Sequence, residues 1–266
     1  MNLNEMIEAE IENGYGDTNA QAKVCQDIIL KAIASSSLSR NVTIKGGVVM
    51  RSKTGNIRRA TQDLDMDFIR YSLADEAIDS FIRKLNCLDE IIIHRIGHIE
   101  ELKQQDYQGK RVYVEISDGA GNKITSKIDL GVHNRLNIEQ EEYCFDIAFD
   151  EEGASLLINS NEQMFTEKLR SLLRFGAIST RYKDIFDMYF LCQNMEPDRL
   201  MTCLHSYIFD DSKMRETSID GIIRRVRMVF RDRSYLRRLH TTDKKWLDED
   251  LDTITETIIR FLEDLK

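Results

Sequence analysis

The stretch Lys45–Phe68, KGGVVMRSKTGNIRRATQDLDMDF, decides the fold. It opens on paired glycines, Gly46–Gly47, and near its end acids alternate with apolar residues at Asp63, Asp65 and Asp67. Residues i and i+2 of a strand point to the same face, about 6.6 Å apart, so this spacing predicts a strand with neighbouring carboxylates. Two such acids can hold a divalent metal ion. The alternative is an exposed acidic edge strand.

The glycines favour the metal interpretation. Val42–Ile44 predicts a strand that enters the glycines, and Val48–Met50 predicts the start of a helix. Glycine lets the backbone approach a ligand closely, and a helix start presents free N–H groups to an anionic phosphate. A glycine turn followed by an alternating acid strand therefore predicts a phosphate site that faces a metal site. We expect a polar loop over residues 51–59, whose cations either lie near a bound triphosphate or are solvated.

Composition limits the class of protein. A chain of 266 residues with 42% apolar content can bury one large or two modest cores. A net charge of -9 argues against a generic nucleic-acid coat, although local basic patches remain possible. Five dispersed cysteines without a C-x-x-C pair predict reduced thiols instead of a zinc site. No signal-peptide core or apolar run of about 18 residues is present, so we expect a cytoplasmic protein with no membrane partner.

Hydrophobic periodicity predicts two domains. In the first half it predicts helices over 3–12, 18–35 and 73–88, and strands over 42–45, 63–69, 91–93, 112–116 and 124–132. We therefore expect an α+β domain with a mixed or antiparallel sheet over residues 1–155. From about residue 155 the pattern is wholly helical, with a final helix over 244–265. It predicts a C-terminal α-helical domain over 156–266, with the substrate cleft between the two domains.

Charged residues interrupt three predicted apolar patterns. Lys168 lies inside a helical apolar stripe, where it must either reach solvent or meet an anion. Arg181 and Asp184 stand at i and i+3 of the next helix, and the simplest interpretation is a surface pair worth about 0.2 to 0.5 kcal/mol. Asp129 lies in mid-strand on the same face as Lys127, and an exposed pair between these two is the alternative to a functional acid.

Two groups of motifs resemble a known family. The order Lys45-Gly46-Gly47, then Arg59-x-Thr61-x-Asp63-x-Asp65, resembles the first motif of the AbiEii/AbiGii nucleotidyltransferases. Later, Glu167-Lys168-Leu169 and then Arg181-x-Lys183-Asp184-x-x-Asp187 are similar to the family's E-K-L helix and its R-x-K-D-x-x-D motif, in the same order. These proteins are the toxin halves of bacterial abortive-infection toxin–antitoxin pairs, which serve in phage defence.

The resemblance implies a fold and an activity. The fold is a nucleotidyltransferase core with a mixed sheet, similar to DNA polymerase β, followed by helices. The activity is metal-dependent transfer of a nucleotide from an NTP to an acceptor, with release of pyrophosphate. Mg²⁺ or Mn²⁺ is the implied cofactor, RNA and in particular tRNA the implied acceptor, and a cognate antitoxin the implied partner. A non-catalytic nucleotide- or RNA-binding regulatory protein and a small-molecule nucleotidyltransferase are the alternatives.

The resemblance also assigns roles to residues. The implied catalytic residues are Asp63, Asp65, Asp129, Lys168 and Asp184, and the first three of these are the implied metal ligands. The implied nucleotide-binding residues are Lys45, Gly46, Gly47, Arg59, Thr61, Lys168, Arg181 and Asp187. A polymerase-like site needs a third carboxylate from a neighbouring strand, and Asp129 is the candidate. Lys168 would neutralise charge on the triphosphate. Spacing allows Asp184 either to contact substrate or to fix Lys168 or Arg181.

Three features depart from the family pattern or lie outside it. Val48 and Val49 replace the small hydroxyl residue that often follows the glycines, so a hydroxyl contact to phosphate is not expected. Asp67 stands at a usually apolar position, so Asp65 with Asp67 is an alternative metal pair to Asp63 with Asp65, which we favour. The arginine-rich stretch 213–238 predicts either a grip on RNA phosphates or an acidic antitoxin, or a set of solvated helix faces.

Overall fold

The computed structural model describes residues 2–102, 109–135 and 137–266. The chain divides into two compact units, Met1–Asn159 and Ser160–Lys266. Every strand that the described residues form lies in the first unit, and the second unit is helical. No helix among the described residues has both the length and the apolar character that a membrane crossing requires.

The described residues of the first unit form four helices and seven strands. The helices are α1 (Leu3–Glu12), α2 (Asp17–Ser35), α3 (Gly46–Thr54) and α4 (Asp75–Lys84). The strands are β1 (Val42–Lys45), β2 (Leu64–Phe68), β3 (Ile91–Leu102), β4 (Gly109–Asp118), β5 (Lys123–Val132), β6 (Glu141–Ile147) and β7 (Asp150–Ile158). A short 3-10 turn, Ile57–Arg59, follows α3. This unit is the expected α+β domain.

The strands form one mixed sheet in the order β3-β4-β5-β2-β1-β7-β6. Strand β2 runs antiparallel to β1 and parallel to β5, and β1 runs parallel to β7. Leu64, Met66 and Phe68 are fully buried on one face of β2, so the alternating acids belong to the opposite face. Because β5, β2 and β1 occupy the middle of the sheet, their polar residues meet across adjacent strands.

The second unit consists of six helices. They are α5 (Asn161–Phe175), α6 (Tyr182–Leu191), α7 (Pro197–Leu204), α8 (Ile219–Phe230), α9 (Arg233–Thr241) and α10 (Leu251–Glu263). The Ser160 hydroxyl accepts a hydrogen bond from the Gln163 amide at 3.2 Å, so the predicted N-terminal cap of α5 forms. One turn of π-helix, His205–Phe209, follows α7.

Several predicted boundaries are wrong. The chain is not wholly helical from residue 155, because β7 extends to Ile158, and β6 and β7 were missed. Both strands begin with acids, Glu141 and Glu142 in β6 and Asp150 to Glu152 in β7, and these residues of low strand propensity obscured the short apolar alternation that follows them. Half of the expected polar loop over 51–59 is helical, because α3 continues to Thr54 and buries Arg51. The final helix begins at Leu251 instead of residue 244, after Asp250 caps it.

Candidate active site

The acids of β2 and β5 lie side by side. Asp65 stands directly opposite Asp129 in the parallel pairing of these strands, and Asp67 stands opposite Gly131. Asp63 precedes β2 by one residue and stands beside Lys127, whose ammonium lies 2.7 Å from its carboxylate. One face of the sheet therefore carries the three predicted metal ligands on neighbouring positions, as the alternation in the sequence predicts.

Cations from other strands hold three of the carboxylates on this face. Arg111 of β4 donates to both oxygens of Asp129, at 2.7 and 2.8 Å. Lys45 of β1 donates to Asp67 at 2.6 Å. The predicted alternative, a pair between Lys127 and Asp129, does not form, because the antiparallel register places Arg111 opposite Asp129. The bidentate hydrogen bond that Arg111 donates to Asp129 raises the pKa of the Arg111 guanidinium.

Asp67 differs from Asp63 in its surroundings. The Asp67 side chain is 8% exposed and carries the Lys45 ion pair, whereas the Asp63 side chain is 43% exposed. Asp129 is 10% exposed. An ion that reaches this face from solvent meets Asp63 and Asp65 more readily than Asp67. The choice between Asp63 with Asp65 and Asp65 with Asp67 as the metal pair stays a prediction, and Asp63 is the more exposed of the two alternatives.

The two glycines let helix α3 start against the acid strand. Gly46 has a φ of +67°, and a Cβ there would lie 2.6 Å from Oδ2 of Asp65. A Cβ on Gly47 would lie 2.6 Å from Oγ1 of Thr61. Lys45, the N-cap of α3, makes no capping hydrogen bond with its side chain. The glycines thus bring the start of α3, the positive end of its helix dipole, next to the Asp65 carboxylate.

A buried polar network of side chains from α2 and α3 supports the backbone at Thr61. The Gln26 amide of α2 donates to the Thr61 carbonyl at 2.9 Å. Arg51 of α3 donates to the Gln26 side chain and lies 3.5 Å from Asp27. Burial raises the pKa of Asp27, against the charges of Lys23 and Arg51. Our sequence reasoning missed this network, although polar residues on the otherwise apolar α2 were its visible signal.

Three other residues of this region, Val48, Val49 and Arg59, are buried. Arg59 is 3% exposed at the end of the 3-10 turn, so its guanidinium lies in the protein interior. Val48 and Val49 are fully buried in the core, which explains why no hydroxyl residue follows the glycines. The chain needs apolar side chains at those positions to pack α3.

The carboxylates suit a hard cation in chemistry. Mg²⁺ and Mn²⁺ prefer carboxylate oxygens, and the oxygens of Asp63, Asp65 and Asp129 are of this kind. In the described part of the chain, however, no three His, Cys, Asp or Glu side chains converge on a point that could hold a metal ion. Lys127 and Arg111 form ion pairs with two of these acids, Asp63 and Asp129. The donor set thus suits a divalent ion by the chemistry of its oxygens alone, and Lys127 and Arg111 would compete with such an ion for Asp63 and Asp129.

A second cluster lies in the helical unit. The Lys168 ammonium of α5 lies 2.9 Å from Asp184 and 2.8 Å from Asp187, both on α6. Arg181 donates to the other oxygen of Asp184 at 2.7 Å. Trp246 donates to Asp187 at 3.1 Å, and sequence reasoning missed this tryptophan. Of the two possibilities for Lys168, meeting an anion is the one that the structure contains.

Neighbouring cations keep the buried Asp184 in its charged form. Burial alone would raise the pKa of Asp184, but the adjacent Lys168 and Arg181 overcome it and lower the pKa to about 2. Asp187 has no solvent exposure, and its two oxygens face Lys168 and Trp246. Asp184 is also buried, so the expected surface pair with Arg181 is half interior. The cluster joins α5 to α6 through ion pairs.

Comparison with known proteins gives the class of this chain. Residues 28–264 match the family model described as the nucleotidyl transferase AbiEii toxin of type IV toxin–antitoxin systems. The protein is a nucleotidyltransferase. More specifically, it belongs to the AbiEii toxin family, because the match covers most of its length and both compact units. The class and family expected from the motifs are thereby confirmed.

A solved structure is also similar. It is the solution structure of the antibiotic-resistance factor ANT(2'')-Ia, with 13% sequence identity and a TM-score of 0.42. The similarity covers 70% of this chain and 90% of that chain. No curated protein matches this chain in sequence.

Proposed function

We propose that this protein is a divalent-metal-dependent toxin that transfers a nucleotide from an NTP to an RNA acceptor, with tRNA as the foremost candidate. Pyrophosphate is the second product, and a cognate antitoxin restrains the activity in a phage-defence system within the cytoplasm. The observation that carries this proposal is the register of Asp65 opposite Asp129, beside the helix start at Gly46. This arrangement puts carboxylates for a metal next to amides for a phosphate.

The proposed reaction is a substitution at the α-phosphorus of the NTP. The acceptor hydroxyl oxygen attacks the α-phosphorus, the bond from that phosphorus to the bridging oxygen breaks, and pyrophosphate leaves while the hydroxyl loses its proton. In this proposal the backbone N–H groups at the start of α3 would face the phosphates, as the N-terminus of a helix does at an anion site. Gly46 and Gly47 are required there because any side chain would collide with Asp65 or Thr61.

Asp63, Asp65 and Asp129 would hold the metal. When bound, Mg²⁺ or Mn²⁺ neutralises phosphate charge and lowers the pKa of the attacking hydroxyl. Lys127 and Arg111 already balance Asp63 and Asp129 in the absence of a metal. We propose that these two cations turn from the carboxylates toward the phosphate oxygens when the acids take up the ion. Arg111 suits this role because its planar guanidinium binds carboxylate and phosphate in the same bidentate manner.

The Lys168 cluster is proposed to serve the same reaction. Its residues stand in the family's later motifs, and Lys168 is the group proposed to neutralise charge on the triphosphate. Asp184 and Asp187 fix the position of its ammonium. Arg181, with a side chain that is 63% exposed, is the proposed contact to the nucleotide in this unit. Asp187, which is fully buried, supports Lys168 and does not itself touch the nucleotide.

A transfer assay tests the proposal. Each of the four labelled NTPs is incubated with Mg²⁺, total RNA and either the wild type or Asp65→Asn, which keeps the shape of the side chain and removes its charge. Asp146→Asn is the matched control, since Asp146 is an exposed acid on β6 of the same sheet. We expect label in RNA for wild type and control, and a loss of at least about 100-fold for Asp65→Asn.

Other outcomes point to other functions. Label in a small molecule but not in RNA would favour a small-molecule nucleotidyltransferase. Binding of an NTP by calorimetry, without any labelled product under all four conditions, would favour a non-catalytic regulator. We call the sheet face of β2 and β5 that carries Asp63, Asp65 and Asp129 the acid face. Equal labelling by wild type and Asp65→Asn would overturn the assignment of the acid face.

A further inference from the structure

Positive charge is concentrated on one part of the helical unit. Residues 213–238 contain nine Lys and Arg against three Asp and Glu, whereas the whole chain carries a net charge of -9. We propose that an arginine face, made by Arg224, Arg227, Arg231 and Arg233 on α8 and the start of α9, binds the phosphate backbone of single-stranded RNA. This inference rests on the proposed function, because it locates the surface that holds the acceptor.

The arginine face is built by helix geometry. Arg224, Arg227 and Arg231 are spaced by three and four residues, which places them along one side of α8. The other side is apolar and buried. Together with Met228 and Asp232, the three arginines line an open surface groove. Because the packed side fixes the helix, the arginines are held in a row and cannot turn inward.

Most arginines of this row have no partner within the protein. Arg225 and Arg238 donate to Leu173 and Tyr182, and Arg227 pairs with Glu263 at the edge of the groove. In the described part of the chain, by contrast, Arg224, Arg231, Arg233 and Arg237 are exposed and their guanidinium groups make no hydrogen bond or ion pair. Their guanidinium groups are available to an external anion. The chain has 46 acids, so this lack of pairing is not due to a shortage of carboxylates.

The makeup of the face favours RNA over a protein partner. The core of a protein interface is depleted of charge and rich in aromatic and apolar groups. Here Met228, which is 54% exposed, is the large hydrophobic residue among those that line the groove, and the rest are charged. Interfaces with nucleic acids are instead polar and strongly positive, and Arg binds phosphate bidentately. A row of arginines around one apolar side chain, with Arg224 and Arg231 making no ion pair, fits a phosphate backbone with a base against Met228.

The full-length chain can be tested directly. The probes are a labelled, unstructured 20-nucleotide RNA and total tRNA, bound at several salt concentrations. Arg224→Gln combined with Arg231→Gln removes two positive charges whose guanidinium groups make no hydrogen bond or ion pair within the described chain. Arg83→Gln combined with Lys84→Gln is the control, because it removes two exposed charges from α4 of the first unit. We expect the first double variant to bind RNA about 100-fold more weakly, roughly tenfold for each arginine.

Salt dependence gives a second readout. Each lost phosphate contact lowers the slope of log K against log salt by about 0.7, so the slope should fall by about 1.4 in the arginine variant and stay unchanged in the control. Equal RNA affinity in wild type and arginine variant would overturn the proposal. So would equal weakening in the control, which would indicate a nonspecific charge effect. Binding of polyglutamate as tight as that of RNA would point to an acidic protein partner instead.

The outcome is separable from that of the proposed function. NTP binding, followed by calorimetry, should be the same in the arginine variant and in wild type, since neither arginine belongs to the acid face or the Lys168 cluster. RNA binding that depends on the arginines, without any nucleotide transfer, would support the arginine face as an RNA site and contradict the proposed transfer reaction. Transfer to RNA that the arginine substitutions do not change would support the proposed reaction and overturn the arginine face as the RNA site.

Discussion

Arg111 donates two hydrogen bonds to the carboxylate of Asp129, from Nε at 2.7 Å and from a terminal nitrogen at 2.8 Å. The arginine comes from β4 and the acid from β5, so the pair is set by strand register and not by local sequence. It places a permanent cation on a carboxylate that the family motif would give to a metal. In the proposed mechanism the guanidinium therefore competes with the metal ion for Asp129.

Replacement of Arg111 should strengthen metal binding. Arg111→Met removes the competing cation and keeps most of the side-chain volume, so we expect Mn²⁺ to bind about two- to fivefold more tightly. This range corresponds to an ion pair of up to about 1 kcal/mol at a site that is 27% exposed on the arginine side. Electron paramagnetic resonance of free Mn²⁺ measures the affinity. Weaker Mn²⁺ binding in Arg111→Met would show that the arginine supports the metal site instead of competing for it.

Gly46 should tolerate alanine less well than Gly55. Both have a positive φ, +67° and +59°, but a Cβ on Gly55 meets no atom within 4 Å. Gly55→Ala should cost about 1 kcal/mol of unfolding free energy from backbone strain alone. Gly46→Ala should cost about 1 to 3 kcal/mol more, since it also displaces Asp65. Urea unfolding measures both, and equal costs would show that the contact with Asp65 is unimportant.

Lys168 should be a major contributor to stability. Lys168→Met leaves Asp184 and Asp187 buried without their shared cation, and removal of one partner from a buried ion pair costs about 3 to 5 kcal/mol. Lys244→Met is the control, because the Lys244 side chain is 52% exposed, and it should change stability by less than about 0.5 kcal/mol. Unfolding in urea gives both values. A loss below 1 kcal/mol for Lys168→Met would contradict the ion-pair geometry.

Asp184 should make the protein sensitive to acid. Its pKa is lowered from 3.8 to about 2 in the folded state, so its contribution to stability is full above pH 4 and is lost as the pH falls toward 2. The difference amounts to roughly 2 kcal/mol. Asp184→Asn lacks this titration, so its stability should fall less steeply between pH 4 and pH 2. Parallel stability curves for variant and wild type over this range would rule out the coupling.

The sequence predicts the acid face well because one backbone rule controls it. The period of two in a strand puts Asp63, Asp65 and Asp67 on one face whatever the rest of the chain does. The same rule puts Asp129 with Lys127 and Gly131. Their partners follow from register between strands that are distant in sequence, which single-sequence patterns do not contain. For this reason Lys127 was expected to pair with Asp129 and instead pairs with Asp63.

Other failures have local causes. Arg51 reads as part of a polar loop, but Gly55 with its positive φ ends α3 only after Arg51 has turned inward to Gln26. Lys168 interrupts an apolar stripe, and Asp184 was one predicted partner for it. Its second anion, Asp187, became apparent only once α6 was placed beside α5. Trp246 carries no motif, so its hydrogen bond to Asp187 was invisible in the sequence.

Metal binding by the acid face is the central claim, and Mn²⁺ titration in the presence of a nonhydrolysable NTP tests it most directly. Electron paramagnetic resonance would follow free Mn²⁺ with wild type, Asp65→Asn, Asp129→Asn and the Asp146→Asn control. The account predicts an NTP-dependent site in wild type and control that is lost in Asp65→Asn and weakened at least about tenfold in Asp129→Asn. Unchanged Mn²⁺ binding in Asp65→Asn would contradict it.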